Sequence, residues 1–167
     1  MELHRLLEKK KTFILDKWLT VIFDIYTDDT ATFLKDETDM FANPVGQTIT
    51  ANAGYILEGL IKGEDTDALS VYIERIIRIR AVQPFTAARA VSFINGLKTV
   101  IIDQLKPSIS RHNLWDEWEE LQSTIDKLTH LAFKIFTKMK ERIESIRTRE
   151  IEKNERFLIK LMGSRAR

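Results

Sequence analysis

Residues 121–146 read LQSTIDKLTHLAFKIFTKMKERIESI, and their apolar side chains recur every three or four positions. This spacing places side chains on one face of an α-helix. The stripe consists of Leu121, Ile125, Leu128, Ala132, Ile135, Met139, Ile143 and Ile146. Such a stripe predicts one long helix, beginning near Asn113, whose apolar face packs against other helices.

Five further amphipathic segments precede this helix. Asn43 and Pro44 suit a helix start, because Asn caps the first turn and Pro fits the first helical position. We expect Pro84 and Pro107 to end two helices, since the residue before a proline avoids the helical region. The predicted segments are 3–26, 28–37, 44–61, about 65–82 and 87–105. No convincing strand pattern occurs, so the sequence predicts an all-α bundle of about six helices with a long C-terminal helix.

The composition excludes several classes of protein. The 167 residues suit one domain, and 26 basic against 25 acidic residues argue against a dedicated nucleic-acid binder. The absence of cysteine excludes disulfides, thiolate metal sites and cysteine nucleophiles. Because we find neither a signal peptide nor an uncharged run of 18 residues, we expect a cytoplasmic protein without membrane or nucleic-acid partners.

The common catalytic motifs are also missing from the sequence. It contains no Gly-x-Gly, His-Glu-x-x-His or Gly-x-Ser-x-Gly pattern. Its histidines are His4, His112 and His130, and a site that joins all three is not expected. We therefore expect no enzyme, no cofactor and no metal site.

His130 lies in the middle of the longest predicted helix, among apolar neighbours. We interpret it as a half-buried histidine with one hydrogen-bonded nitrogen. Two alternatives stay open, a phosphoacceptor in a helical phosphotransfer module and a haem ligand.

Arg80 shares a helical stripe with Ile73, Ile76 and Ile77, so its guanidinium is directed toward the apolar side. A buried arginine needs hydrogen-bond acceptors. Helix C-terminal carbonyls or a carboxylate such as Asp39 or Asp126 could supply them. The interpretation is a structural ion pair between helices, with an anion or ligand contact as the alternative.

The C-terminal part of the chain is rich in charged residues and poor in apolar ones. Residues 147–156 read RTREIEKNER, with seven charged residues and one apolar residue, which cannot form a core stripe. An apolar cluster at 157–162 follows. We therefore expect a helical domain at 3–146 and a charged helical extension at 147–167. Residues 138–167 carry a net charge of +5 and residues 24–39 carry −5, opposed charges that could orient self-association.

Two motifs, FANPVG at 41–46 and IRIRAVQ at 77–83, resemble the RsbRD amino-terminal domain family, and the similarity spans about residues 3–150. The resemblance implies a helical sensory domain of RsbT co-antagonist proteins in bacterial stress signalling. Related input domains are similar to haem-free globins and form dimers. Co-antagonists carry a STAS domain after the helical one. Because this sequence stops at Arg167, we expect a stand-alone member without the kinase-binding and phosphorylation functions.

The resemblance and the residues together predict a non-enzymatic signalling or regulatory sensor domain that acts through protein–protein interaction. We expect a homodimer that also binds an unidentified signalling protein, with its interface on the first and last helices, at Ile14, Trp18, Ile143 and Ile146. The first alternative is a small-ligand-binding domain. Its candidate residues match the family and flank helix ends: Asn43, Arg78, Arg80, Gln83 and Phe85. The second alternative is histidine phosphotransfer through His130.

Overall fold

The computed structural model describes residues 1–165, and every regular element in that range is an α-helix. The helices are α1 (Glu2–Phe23), α2 (Asp28–Asp36), α3 (Pro44–Lys62), α4 (Thr66–Ala81), α5 (Ala87–His112) and α6 (Trp115–Arg165). The predicted all-α bundle with a long C-terminal helix is confirmed.

The five long helices form a closed ring in the order α1, α3, α4, α6, α5 and back to α1. In the chain order α1, α3, α4, α5, α6, each long helix runs opposite to the long helix before it, and the short α2 packs on α1 and α3. α1 and α4 therefore end, and α3 and α5 begin, at the same end of the bundle. We call this end the junction end, and α6 passes it and continues outward.

Side chains and glycine set the helix boundaries. Asn43, Asp65 and Thr86 each accept a hydrogen bond from a main-chain N–H in the first turn of the helix that follows. Gly63 ends α3 in the left-handed conformation, at φ 72°, which a residue without Cβ adopts at little cost. These caps explain why α3 begins and ends, and why α4 begins, close to the predicted limits.

The core of the bundle consists mainly of aliphatic side chains, with five buried aromatic ones, Trp18, Phe23, Phe93, Trp118 and Phe136. Trp18 is fully buried, its ring stacks on Phe93 at 6.2 Å between centroids, and its Nε1–H donates to the Phe93 carbonyl at 2.7 Å. Ile14, one turn earlier on α1, is fully buried as well. Both predicted interface residues of α1 are thus covered by the chain's own α5 and its neighbours.

The prediction that Pro107 ends α5 is wrong, because the helix continues through it to His112. A proline inside a helix removes a hydrogen bond and costs about 3 kcal/mol. The added turn buries Ile109 completely, and Asn113, at φ 51°, closes it by donating its N–H to the Ser110 carbonyl at 3.4 Å. Tertiary burial therefore outweighs the local cost.

Two other predicted boundaries differ from the structure. α1 ends at Phe23 and not at Tyr26, since the chain turns there and the Tyr26 N–H donates to the Phe23 carbonyl at 3.1 Å. α6 begins at Trp115, two residues after the left-handed Asn113.

α6 leaves the bundle near its middle. Phe136 is its last buried residue, Ile143 is half-buried and Ile146 is 48% exposed. Residues 147–165 are helical and exposed throughout, and we call them the rod. At 1.5 Å per residue the rod is about 28 Å long. Ala166 and Arg167, the end of the predicted extension, lie outside the described residues.

None of these six helices, over the residues described, has an 18-residue stretch sufficiently apolar and poor in charge to span a bilayer.

Candidate functional site

Arg80 lies at the junction end and is only 1% exposed. Its Nη2–H donates to the Ile22 carbonyl at 2.6 Å, and its Nη1–H donates to the Ala90 carbonyl at 3.0 Å. Its guanidinium carbon also lies 4.7 Å from the centre of the Phe93 ring. Because Ile22 belongs to the last turn of α1, the arginine caps that helix and ties α1 and α5 to α4.

The ion-pair interpretation of Arg80 is wrong. Within residues 1–165 both acceptors of Arg80 are main-chain carbonyls, and no carboxylate pairs with it. Asp39 accepts from the Phe41 N–H in its own turn, and Asp126 pairs with Lys98. Burial lowers the pKa of Arg80 to about 10, because a charge is costly away from water. The side chain stays charged at neutral pH and is enclosed by the helices that it joins.

Gln83 and Phe85 belong to the short connection between α4 and α5, beside Arg80. The Tyr26 hydroxyl donates to Gln83 Oε1 at 2.8 Å, and the Tyr26 ring meets Phe85 edge to face at 5.7 Å. Lys140 Nζ donates to the Gln83 main-chain carbonyl at 3.1 Å. This connection therefore links the end of α1 to the part of α6 from which the rod emerges.

Asn43 lies between α2 and α3, without a hydrogen bond to Arg80, Gln83 or Phe85, and is 1% exposed. Its Nδ2–H donates to the Leu34 carbonyl at 2.9 Å and to the Glu37 carbonyl at 3.1 Å, while its Oδ1 accepts from the Gly46 N–H at 2.9 Å. One side chain thus caps the end of α2 and the start of α3. A Cβ on Gly46 would lie 2.1 Å from the Leu34 carbonyl oxygen, so this contact requires glycine.

The fifth predicted ligand residue, Arg78, is exposed and pairs with Glu74 at 2.8 Å. The structure therefore brings together Arg80, Gln83 and Phe85, but not Asn43 or Arg78. The polar atoms of Asn43 and the guanidinium NH2 groups of Arg80 bind main-chain carbonyls and amides. Three residues of the two motifs, Asn43, Arg80 and Gln83, thus connect helix ends.

A groove lies beside these junctions, where α6 leaves the bundle. It encloses about 340 Å³ between the end of α4 and α6. Val82, which is 74% exposed, Met139, Ile143 and Ile146 provide its apolar surface. Arg78, Ala81 and Arg142 complete the lining. Ile143 and Ile146, the predicted interface residues of the last helix, thus lie in an open groove, unlike Ile14 and Trp18.

Three residues of this region, Val82, Tyr26 and Lys140, were not predicted from the sequence. Val82 stands beside a predicted helix end, where an apolar residue carries no periodic signal. Tyr26 and Lys140 each lie 57 positions from Gln83 in sequence, so only the packing of the helices shows the contacts. The IRIRAVQ motif was the available signal, since it contains Val82 and Gln83.

His130 is exposed on α6, so the prediction of a half-buried histidine is wrong. Lys127 and Lys134 lie three and four positions away, on the same side of the helix. Over residues 1–165, no group of three His, Cys, Asp or Glu side chains is arranged to hold a metal ion.

The family model for the RsbT co-antagonist protein rsbRD N-terminal domain matches residues 14–151. No curated protein and no solved structure matches. The likeness to haem-free globins accordingly stays a prediction.

Proposed function

Because the chain belongs to the RsbT co-antagonist protein rsbRD N-terminal domain family, we propose that it is a non-enzymatic sensory or regulatory domain that acts by binding other proteins. The observation that carries this proposal is the exposed apolar groove at the base of the rod. Exposed apolar surface bordered by charged side chains, here Arg78 and Arg142, is typical of sites where proteins dock. The family motifs contribute to this region through Val82 and the Gln83 connection, which supports a role in interaction.

We propose further that the chain forms a homodimer through the groove and the adjoining rod, and that the same assembly presents a surface to a signalling protein in the cytoplasm. Ile143 and Ile146 are the interface residues of this proposal. Ile14 and Trp18 contribute only indirectly, by holding α1 in the core.

Light scattering at micromolar concentration tests the homodimer. We expect the wild type to be a dimer and the Ile146→Arg variant to become a monomer, because a charge would be buried in the apolar contact. The matched control is Val71→Arg, since Val71 is also an exposed aliphatic residue but lies near the start of α4. A monomeric wild type that purifies without any bound protein would refute both parts of the proposal.

One observation favours a second candidate, histidine phosphotransfer. His130 is exposed on a long helix, and the flanking Lys127 and Lys134 could neutralise a phosphoryl group. The test is phosphate labelling with acetyl phosphate or with ATP and a cell extract. The candidate requires an acid-labile label that is lost in His130→Gln and kept in the control His112→Gln, whose histidine is also exposed. If His130→Gln keeps the label, or none forms, this function is abandoned.

A further inference from the structure

The stripe of α6 that faces the bundle continues in register along the rod. Its successive positions are separated by four, three, four, three and four residues, which is the heptad spacing of paired helices. These positions are Met139, Ile143, Ile146, Glu150, Lys153 and Phe157. The bundle covers the first part, whereas Ile146 and every later position are exposed. The exposed seam is therefore apolar at both ends and has two charges of opposite sign in its middle.

These two charges distinguish the possible arrangements of two rods. In a parallel pair, Glu150 would face the same glutamate of the second copy, and Lys153 would face the same lysine. In an antiparallel pair with Ile146 opposite Phe157, each Glu150 lies opposite a Lys153. Like charges at facing positions repel and opposite charges attract, so the seam favours the antiparallel arrangement.

The positions that flank the seam do not separate the two arrangements. An antiparallel pair would place Arg149 near Arg156 of the second copy, and a parallel pair would place Arg142 near Arg147. Each arrangement thus brings arginines together at its flanks. The decision rests on Glu150 and Lys153, which occupy the centre of the contact.

The antiparallel arrangement also covers the groove. Ile146 and Phe157 are eleven residues apart, about 16 Å along the helix. Reversing one rod therefore brings the apolar residues of its outer part, among them Phe157 and Leu161, to the mouth of the groove beside Val82 and Ile146. Phe157 is 61% exposed in a single chain. One contact would then bury both apolar surfaces at the two ends of the rod.

We propose that two copies of this chain pair their rods antiparallel, with the outer part of each rod seated against the groove of the other. The inference rests on the proposed homodimer and adds its geometry. A rival seam, formed by Ile151, Asn154, Leu158 and Leu161, would pair the rods in parallel with Asn154 facing itself. That seam does not join the stripe of the bundle, and it leaves the groove uncovered.

Disulfide trapping tests this geometry, because the chain has no cysteine of its own. The single variants Ile146→Cys and Phe157→Cys are prepared separately and mixed to allow exchange of subunits, and both the mixture and the separate samples are oxidised mildly. Ile159→Cys is the control, since Ile159 is exposed on the opposite side of the rod. We expect the mixture to form several-fold more covalent dimer than either variant oxidised alone. Each variant alone should form no more covalent dimer than the Ile159→Cys control.

Each other outcome has a definite meaning. If each variant links efficiently to itself, the rods are parallel and the proposal fails while the homodimer stands. If light scattering shows a dimer but no sample links above the control, the interface lies elsewhere and the proposal also fails. A monomeric protein would refute the homodimer and this geometry together. Circular dichroism of each variant identifies any loss of helix.

A charge exchange provides a second test without cysteine. In the antiparallel pair, Glu150→Lys alone or Lys153→Glu alone turns two attractive contacts into repulsive ones, and we expect the dimer Kd to rise roughly tenfold. The double variant Glu150→Lys, Lys153→Glu restores opposite charges and should return the Kd to near the wild-type value. Single variants that dimerise like the wild type would overturn the proposal.

Discussion

The Arg80→Met substitution separates a structural from a ligand-binding role for the buried arginine. Methionine keeps much of the apolar stem and removes the guanidinium. Two hydrogen bonds from a charged donor contribute about 3–6 kcal/mol together. Removing the charge also removes the cost of its burial, the same cost that lowers the pKa of Arg80 to about 10. At about 1.4 kcal/mol per pKa unit, this relief is about 3 kcal/mol.

The variant also leaves the Ile22 carbonyl at the end of α1 without its partner, which costs about 1–3 kcal/mol. We therefore expect Arg80→Met to lose about 3 kcal/mol of unfolding free energy. The loss should be the same at pH 6 and pH 8, because a pKa of about 10 keeps the side chain charged at both values in the folded and in the unfolded state.

Urea unfolding, followed by far-ultraviolet circular dichroism, measures the effect. The control is Arg78→Met, the same substitution two residues away, where only an exposed ion pair with Glu74 is lost. We expect that control to change stability by less than about 0.5 kcal/mol. Equal stability of the two variants would refute the structural role, and a ligand-induced thermal shift present in the wild type but lost in Arg80→Met would then indicate a binding site.

Three further predictions follow from the helix junctions and a surface charge cluster. Asn43→Ala should lower the unfolding free energy by about 2–4 kcal/mol, because it leaves several buried main-chain groups unpaired. Asn95→Ala is the control, since Asn95 is exposed. Similar losses in the two variants would contradict the capping of both helices by Asn43. Pro107→Ala should raise stability by about 1–3 kcal/mol in thermal unfolding, since it restores a helical N–H inside α5, and a loss would mean that the proline is needed there. Lys62 and Lys11 lower the pKa of Glu58. The charged Glu58 therefore stabilises the fold above the pKa that it has in the unfolded chain, and this stabilisation is lost as the pH falls through its pKa in the folded chain. Glu58→Gln should make the fall in Tm below pH 5 less steep, and an unchanged dependence of Tm on pH would contradict this.

Local signals predicted those parts of the fold that depend on a few neighbouring residues. Asn43 and Pro44 located the start of α3 because capping needs only the first turn. Pro107 misled the prediction of α5, since the burial of Ile109 depends on α6 and other distant helices. The stripe around Arg80 predicted its burial, but the choice between carbonyl and carboxylate acceptors required the positions of α1 and α5.

The candidate site shows the same division. Periodicity placed Ile14, Trp18, Ile143 and Ile146 on apolar faces. Periodicity does not say whether an apolar face is covered by the same chain or left open. In the structure Ile14 and Trp18 are buried, whereas Ile143 is half-buried and Ile146 is exposed. The contact between Lys140 and Gln83 had no sequence signal, because it depends on how far α6 has advanced along the bundle when it passes the end of α4.

The uninterrupted backbone of α6 across Lys140 has a mechanical consequence. Arg165 lies 25 residues beyond Lys140, about 38 Å along the helix axis. A tilt of about 5° at Lys140 would therefore move the far end by about 3 Å, with little bending of the helix itself. A rearrangement of this size where Gln83 meets Lys140 would therefore displace Arg165 by about the width of a side chain.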